Sequence, residues 1–350
     1  MRPTMKDVAS AAGVALKTVS RVVNDEPGVH PDTAERVRAA IERLGYSRNE
    51  SARVLRSGRT ATIGLVIEDV ADPFYSGLSR AVEDVAIEHG CLLMSGSSGE
   101  QPGRERELVL AFCTRRVDGL IVVPAGDDHA YLQPELETGT PVVFADRPPG
   151  PGLDVDTVLA ANADGAAIAV RHLLGHGHRR IAFLGDQPTI YTAAERLRGY
   201  REALGPLFDE RLVAMRGAAP GPVREELARL AALDDPPTAL FTGNGRLTVT
   251  VLRALPGRQG HDGPYEAGRW RLPGGRPVAL VGFDDFELAD LLAPGVTVVA
   301  QDPAGMGRAA AELLFRRLGG DTGPSGRLEL PVRLVPRGSG ELPGPYAARA

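Results

Sequence analysis

Lys17, Arg21 and Asn24 stand four and three residues apart. Each residue of a helix advances about 100°, so the three share one narrow stripe. An ammonium, a guanidinium and an amide on one stripe suit contacts to nucleic-acid bases and phosphates. Thr18 and Ser20 flank the stripe, where short hydroxyls reach a phosphate, while Val19, Val22 and Val23 fall almost opposite and can pack. A second polar set stands at the ends of apolar runs: Asp146 after VVFA, Asn244 after LFTG and Asp284 after LVGF. Ligands of parallel sheets sit outside the carboxyl ends of the strands, so these three converge on a small-molecule site. His172, His176 and His178 are close enough to suggest a metal, but two glycines intervene and no acid or thiol is spaced to help. The expectation there is a loop after a helix, with no metal. GSSG at 96–99 lacks a GxSxG elbow and no strand leads into a GxGxxG loop, so no catalytic residue and no cofactor is expected.

The basic stripe needs a scaffold. In KDVASAAGVALKTVSRVVND two short helical patterns meet at Gly13. Thr4 and Asp7 form a capping box for the first, whose inner face is Val8, Ala9 and Ala12. A third helix starts at Pro31, carries Val37, Ala40, Ile41 and Leu44 at helical spacing, and stops at Gly45. Three short helices with a Gly turn between the first two predict a helix-turn-helix bundle. Residues 1–60 hold eleven Lys or Arg against seven acids, a surplus of four positive charges, while the whole chain is at −5. A basic head on an acidic body suits a polyanion at one end only.

The remainder alternates short apolar runs with helical ones. TIGLVI, CLLMSG, GLIVV and PVVFAD read as strands, with helices near 74–89 and 104–115 between them. RIAFLGD, TALFTG and PVALVGFDD form a second series, with helices near 163–174 and 193–204. Two such series predict two α/β lobes with parallel sheets covered on both faces. At 350 residues and 43% hydrophobic content, two or three domains with real cores are expected. Cys91 and Cys113 lie in apolar runs without a CxxC, which reads as buried, reduced thiols. Lys6 and Asp7 interrupt the place of a signal peptide and no run approaches membrane-spanning length, so a cytoplasmic protein is expected.

The ordered series KDVASAAGV, KTVSRVVN, VRAAIERLGY, SARVLRSGRT, TIGLVIEDVADPFY, RRVDGLIVVP, HLLGHGHRRIAFLG, ERLRGYREAL, VGFDD and LPVRLVPRGS resembles the lactose-repressor/purine-repressor family of bacterial transcription regulators over nearly its full length. The resemblance implies an all-α DNA-reading headpiece (1–46), a hinge helix (47–60), and a two-lobed α/β effector domain like the periplasmic sugar-binding proteins (61–340), with 341–350 as a tail. It places the first lobe at about 61–160 and 291–320, and the second at about 161–290 and 321–340. It further implies a homodimer on a pseudo-palindromic double-stranded operator, associated with the nucleoid when bound. By position, Leu16, Lys17 and Arg21 match the family's base-reading residues, and Thr18, Ser20 and Asn24 its phosphate contacts. Leu55 matches the leucine that wedges into the minor groove, with Arg53 and Arg56 beside it on the DNA; without the resemblance, Leu55 reads as a linker or domain contact. Phe74 matches an aromatic lining the effector cleft, and Asp146, Arg196, Asn244 and Asp284 match polar residues that hydrogen-bond ligand. Carboxylates, an Arg fork and an amide suit the hydroxyls of a sugar, with a ring against its apolar face.

Three departures stand out. Ala15 replaces the usual Ser before the recognition helix, so a preferred cap is missing. Gly245 replaces the Asp that normally follows Asn244. The connection from Leu255 to Pro277 is long and rich in Gly and Pro, and its Trp270 either covers the cleft or packs on the surface. The tail ELPGPYAARA carries no leucine heptads, so no tetramer-forming coil is expected. SARVLRSGRT is too short and polar to hold a helix alone, since isolated helices below ~12–15 residues are marginal, so the hinge is expected to order only between lobes and DNA. The expected protein is a repressor whose operator binding is set by a sugar. The alternatives are a nucleobase or nucleoside effector, or a solute-binding protein; the basic head and missing export signal oppose the last.

Overall fold

Local hydrogen bonds open and close the N-terminal helices. The Thr4 hydroxyl accepts from the Asp7 amide, and the Asp7 carboxylate accepts from the Thr4 amide at 2.7 Å. This reciprocal cap starts α1 (Met5–Ala12), and Gly13 at φ 65° ends it. α2 (Leu16–Val23) starts at Ala15 with no side-chain cap, the consequence of the missing Ser. α3 (Pro31–Leu44) has Pro in its first turn and Gly45 at φ 60° as its stop. Val8, Val19 and Val37 are fully buried and meet Ala12, Val22, Ala40 and Tyr46 in one small core. The computed structural model describes residues 3–24, 26–46, 59–255 and 270–347. The chain divides into two units, Met1–Thr60 and Ala61–Ala350. Arg53, Leu55 and Arg56, and residues 47–58 of the expected hinge, lie outside the described residues.

The second unit is built as two lobes. The first takes β1 (Thr62–Ile67), α4 (Pro73–Glu88), β2 (Leu92–Ser97), α5 (Pro102–Thr114), β3 (Gly119–Val122), the short α6 (Gln133–Glu137), β4 (Val142–Ala145) and β5 (Asp156–Ala160). The second takes α7 (Asn162–Gly175), β6 (Ile181–Gly185), α8 (Tyr191–Leu204), β7 (Val213–Met215), α9 (Pro220–Ala231), β8 (Ala239–Thr242), α10 (Gly245–Ala254), β9 (Trp270–Arg271), β10 (Pro277–Phe283) and β11 (Thr297–Ala300). The chain then returns to the first lobe with α11 (Pro303–Leu318) and β12 (Arg327–Leu330), and ends in the second with β13 (Arg333–Val335). The first sheet has the order β12-β5-β4-β3-β1-β2, parallel throughout. The second has the order β13-β11-β10-β8-β6-β7, with β13 antiparallel at one edge and β9 antiparallel to β10. Central strands such as GLIV, VVFA and IAFLG are buried at every position, because helices cover both faces.

The expected fold class holds, and its internal boundaries move. The segment 291–300, expected in the first lobe, belongs to the second: TVVA pairs between β10 and β13 and is buried throughout. The segment 321–330, expected in the second lobe, belongs to the first, where Arg327–Leu330 pairs with Thr157–Ala160. Trp270 neither covers the cleft nor lies on the surface; it is buried in the second lobe's core with Leu252, Leu272 and Val278. The tail expected from 341 onward docks on the second lobe: Glu341 meets His172 at 2.6 Å and Thr297 at 2.8 Å, and the Leu342 carbonyl lies 2.8 Å from His178 Nε2. His172 lies in the last turn of α7 with an acidic partner from the far end of the chain, His176 caps that helix, and the expected loop follows through His178. Both cysteines are half-buried rather than buried, and burial pushes the Cys113 thiol up to about 11.

Helices α7 and α8 pack closely enough to set the site. Gly199 faces the Ala163 carbonyl with no room for a Cβ, and the Tyr200 hydroxyl donates to the Ile181 carbonyl at 2.7 Å. That contact brings Asn162 of α7 within reach of Arg196 on α8.

Candidate functional site

The outward face of α2 presents the predicted DNA-reading residues. Lys17 is exposed, as is Leu16 at 45%, while Thr18, Ser20, Arg21 and Asn24 are half-buried around the same helix. Val19 and Val22 anchor the opposite side in the core. Asn24 donates to the Ser20 hydroxyl and to Glu26, each at 3.3 Å, so these side chains brace one another at the end of the helix.

The predicted effector residues converge on one cleft of about 800 Å³ between the lobes, lined by Phe74, Asp146, Arg196, Asn244 and Asp284 among others. Asp146 follows β4 and Asp284 follows β10, and both hold the left-handed conformation, at φ 67° and 69°. That conformation is uncommon for a side-chain-bearing residue, and Asp tolerates it better than most. Each lobe therefore turns its chain sharply where a carboxylate enters the cleft. Arg196 forms the floor: Nε donates to Asn162 at 2.7 Å, Nη1 donates to the Gly243 carbonyl at 2.6 Å, and the guanidinium lies 3.9 Å from the Phe283 ring centre. Its Nη1 is 3.8 Å from Asp284. Asp284 in turn accepts from Gln301 at 2.6 Å and from the Gly245 amide at 3.3 Å. The partner from position 245 is its backbone amide, which the replacement of Asp by Gly leaves in place while removing a further carboxylate beside Asp284.

Asn244 has two duties. Its carbonyl oxygen accepts from the Leu247 amide at 2.7 Å and caps α10, while its amide nitrogen donates to Asp186 at 3.1 Å. A ligand hydroxyl would exchange with Asp186 for that amide. Phe74 is half-buried in the first turn of α4, edge-on to Tyr75, with Asp72 as the helix cap.

Sequence reasoning missed the charged ring around these residues. Arg147 directly follows Asp146 in FADR, the one local signal available. Its guanidinium reaches Glu100 at 2.6 and 2.9 Å, the Tyr75 hydroxyl at 3.2 Å and the Pro124 carbonyl at 3.0 Å. The Tyr75 hydroxyl donates to Asp146 at 3.3 Å. Arg246, in the first turn of α10, spans the cleft to Glu68 at 3.5 Å and Asp69 at 3.4 Å on the opposite lobe. Burial raises the Asp146 carboxyl above its ordinary value against the pull of Arg147 and Arg196. Burial also pushes Glu68 up to about 7, helped by the charge of Glu100 and opposed by Arg147 and Arg246.

A carboxyl harder to ionise in the fold than in the unfolded chain costs stability once it is charged. For Glu68 that cost is absent below the ordinary value near 4.5, grows as pH rises towards 7 and is constant above. Glu68→Gln removes it. The stability of the variant relative to the native protein should therefore rise between pH 5 and pH 8 by roughly 1–3 kcal/mol. Urea titrations at the two pH values measure this, and a pH-independent difference contradicts it.

Among the described residues, no group of three His, Cys, Asp or Glu is placed to hold a metal, and no helix is long and apolar enough to cross a membrane. Residues 4–49 match the bacterial regulatory proteins of the lacI family, and residues 170–340 match the periplasmic binding protein-like domain. The chain is 36% identical to the HTH-type transcriptional regulator CelR of Thermobifida fusca over 97% of its own length and 98% of the relative's. A solved complex of the transcriptional regulator CelR with cellobiose aligns with a TM-score of 0.67 at 32% identity, covering 97% of this chain and 100% of that one. The lac repressor dimer bound to operator and the anti-inducer ONPF aligns at 0.81 with 25% identity, covering 97% and 99%. A capped helix-turn-helix with an outward basic stripe, two parallel-sheet lobes around a polar cleft, and this full-length likeness agree: the chain belongs to the lacI family of bacterial regulatory proteins and is a DNA-binding transcription regulator.

Proposed function

We propose that the protein is a cytoplasmic, non-enzymatic repressor that binds a two-half-site operator as a homodimer and is controlled by a sugar in the cleft between its lobes. The observation that carries the effector reading is the convergence of Asp146, Arg196, Asn244 and Asp284, from four separate segments, on one cavity. Carboxylates able to accept several hydroxyls, an Arg fork and a ring beside them form the chemistry of polyol recognition. The lobes contribute unequally, Asp146 and Phe74 from one and the other three from its partner, so a bound sugar would bias the angle between them. Base reading falls to Leu16, Lys17 and Arg21, and phosphate contacts to Thr18, Ser20 and Asn24; Arg53, Leu55 and Arg56 complete the DNA set. Cellobiose is the first sugar to test, because the CelR relative has been solved with it.

A thermal-shift screen over cellobiose, monosaccharides and nucleosides tests the effector. A ligand at 100 times its Kd adds about 2.7 kcal/mol, which for a domain this size is a shift of several degrees. A response to nucleosides with none to any sugar would replace the sugar reading. Assembly is tested separately. One headpiece buries too little DNA for tight specific binding, so light scattering should give twice the chain mass at concentrations that bind operator. A mass of one chain under those conditions contradicts the dimer.

A further inference from the structure

The cleft holds three guanidiniums close to its floor and mouth, and a guanidinium in a sugar cleft invites a phosphate or carboxylate. Each of the three is engaged by an acid instead. Arg147 is side-chain buried to 7% exposure and gripped by both oxygens of Glu100, at 2.6 and 2.9 Å, with Glu68 at 3.6 Å behind it. Arg196 lies against Asp284, and Arg246 against Glu68 and Asp69. Over the whole lining, seven carboxylates face four arginines, the fourth being the exposed Arg253 two turns along α10.

Glu100 reaches Arg147 at a conformational cost. It follows Gly99 with φ 58°, a left-handed backbone that a Glu rarely adopts. The turn is pinned by the Gly99 amide donating to the Glu68 carbonyl at 2.8 Å, so Glu68 and Glu100 are tied through backbone as well as through Arg147. Glu100 Oε2 accepts from Arg147 Nη1 and Oε1 lies against Nη2, so the carboxylate sits on the same two nitrogens that would bind a phosphate.

We infer that Glu100, backed by Glu68, is a specificity determinant that occupies Arg147 and makes the cleft reject anionic sugars in favour of uncharged ones. The inference rests on the cleft being the effector site and adds the class of effector it excludes. An incoming phosphoryl group meets a surplus of carboxylates, and the deep guanidinium on the first lobe already has both Nη atoms engaged by Glu100, Tyr75 and the Pro124 carbonyl, with Asp146 3.4 Å from its Nε. Hydroxyls meet no such penalty, because carboxylates accept from them.

Inorganic phosphate probes the arrangement without knowledge of the effector. Binding is measured by isothermal titration against chloride at matched ionic strength, in the native protein, Glu100→Gln and Glu100→Gln/Arg147→Gln. The native protein should bind phosphate no better than a background anion. Glu100→Gln should bind at least about tenfold more tightly, the factor one charge-assisted hydrogen bond supplies, and the gain should vanish in the double variant. Glucose 6-phosphate should follow the same pattern. The inference is overturned if the native protein binds phosphate in the cleft, if Glu100→Gln gains nothing, or if the gain survives loss of Arg147. Should Glu100→Gln fail to fold, Glu68→Gln and the native protein decide it: phosphate binding by the native chain overturns it, and a gain in Glu68→Gln alone supports it. Failure of the sugar reading shows up elsewhere, as a native protein that no neutral sugar stabilises, and leaves the phosphate measurements intact.

Discussion

Asp284→Ala should abolish the effector's influence on operator binding while effector-free binding stays near its native strength. Asp284 stands in the left-handed conformation at the end of β10, next to Arg196, and is held by Gln301 and the Gly245 amide. Its carboxylate lines the cleft beside the Arg196 floor. Hydrogen bonds to charged groups contribute about 1.5–3 kcal/mol each, so losing two to ligand hydroxyls would cost roughly a hundredfold or more in effector affinity. Asp284→Asn keeps the backbone conformation and one acceptor, and should retain a weakened response. Coupling between sites is reciprocal: DNA must change effector affinity by the factor by which effector changes DNA affinity. Fluorescence anisotropy on labelled operator, with and without the sugar found by thermal shift, measures both directions. If Asp284→Ala keeps a full response, the effector site lies elsewhere in the chain.

Arg21→Ala should cost roughly 1–3 kcal/mol on operator and relax its sequence preference, the loss expected when a bidentate base contact goes. Arg21 shares the outer stripe of α2 with Lys17, and the helix is seated by Val19 and Val22, so truncation leaves the core intact. Ser20→Ala is the contrasting variant. Its hydroxyl braces Asn24 at the end of the helix; with both proposed as phosphate contacts, its loss should weaken specific and random DNA alike. Competition titrations against random duplex separate the two effects. Equal losses on both kinds of DNA for Arg21→Ala would mean that it contacts the backbone and reads no base.

What the sequence alone determined is what short-range physics controls. The caps at Thr4, Gly13 and Gly45, the uncapped Ala15, and the runs TIGLVI, VVFA and IAFLG each depend on neighbours within a turn or on helix-covered burial, and all appear where the residues predict. Asp146, Asn244 and Asp284 were legible as strand ends because the polarity of a parallel sheet puts those ends on one side. The tertiary structure decided which strand neighbours which. TVVA and RLEL are both four-residue strands late in the chain, yet they pair in opposite lobes, because a strand's partner is chosen across the whole chain. Trp270 entered a core for the same reason, by pairing with β10. The charged ring was hidden most deeply. Arg147 and Glu100 are 47 residues apart and Arg246 and Glu68 are 178 apart; the pair that docks the tail, His172 and Glu341, is 169 apart. An ion pair's geometry depends on separation in space alone, and only the folded chain supplies that.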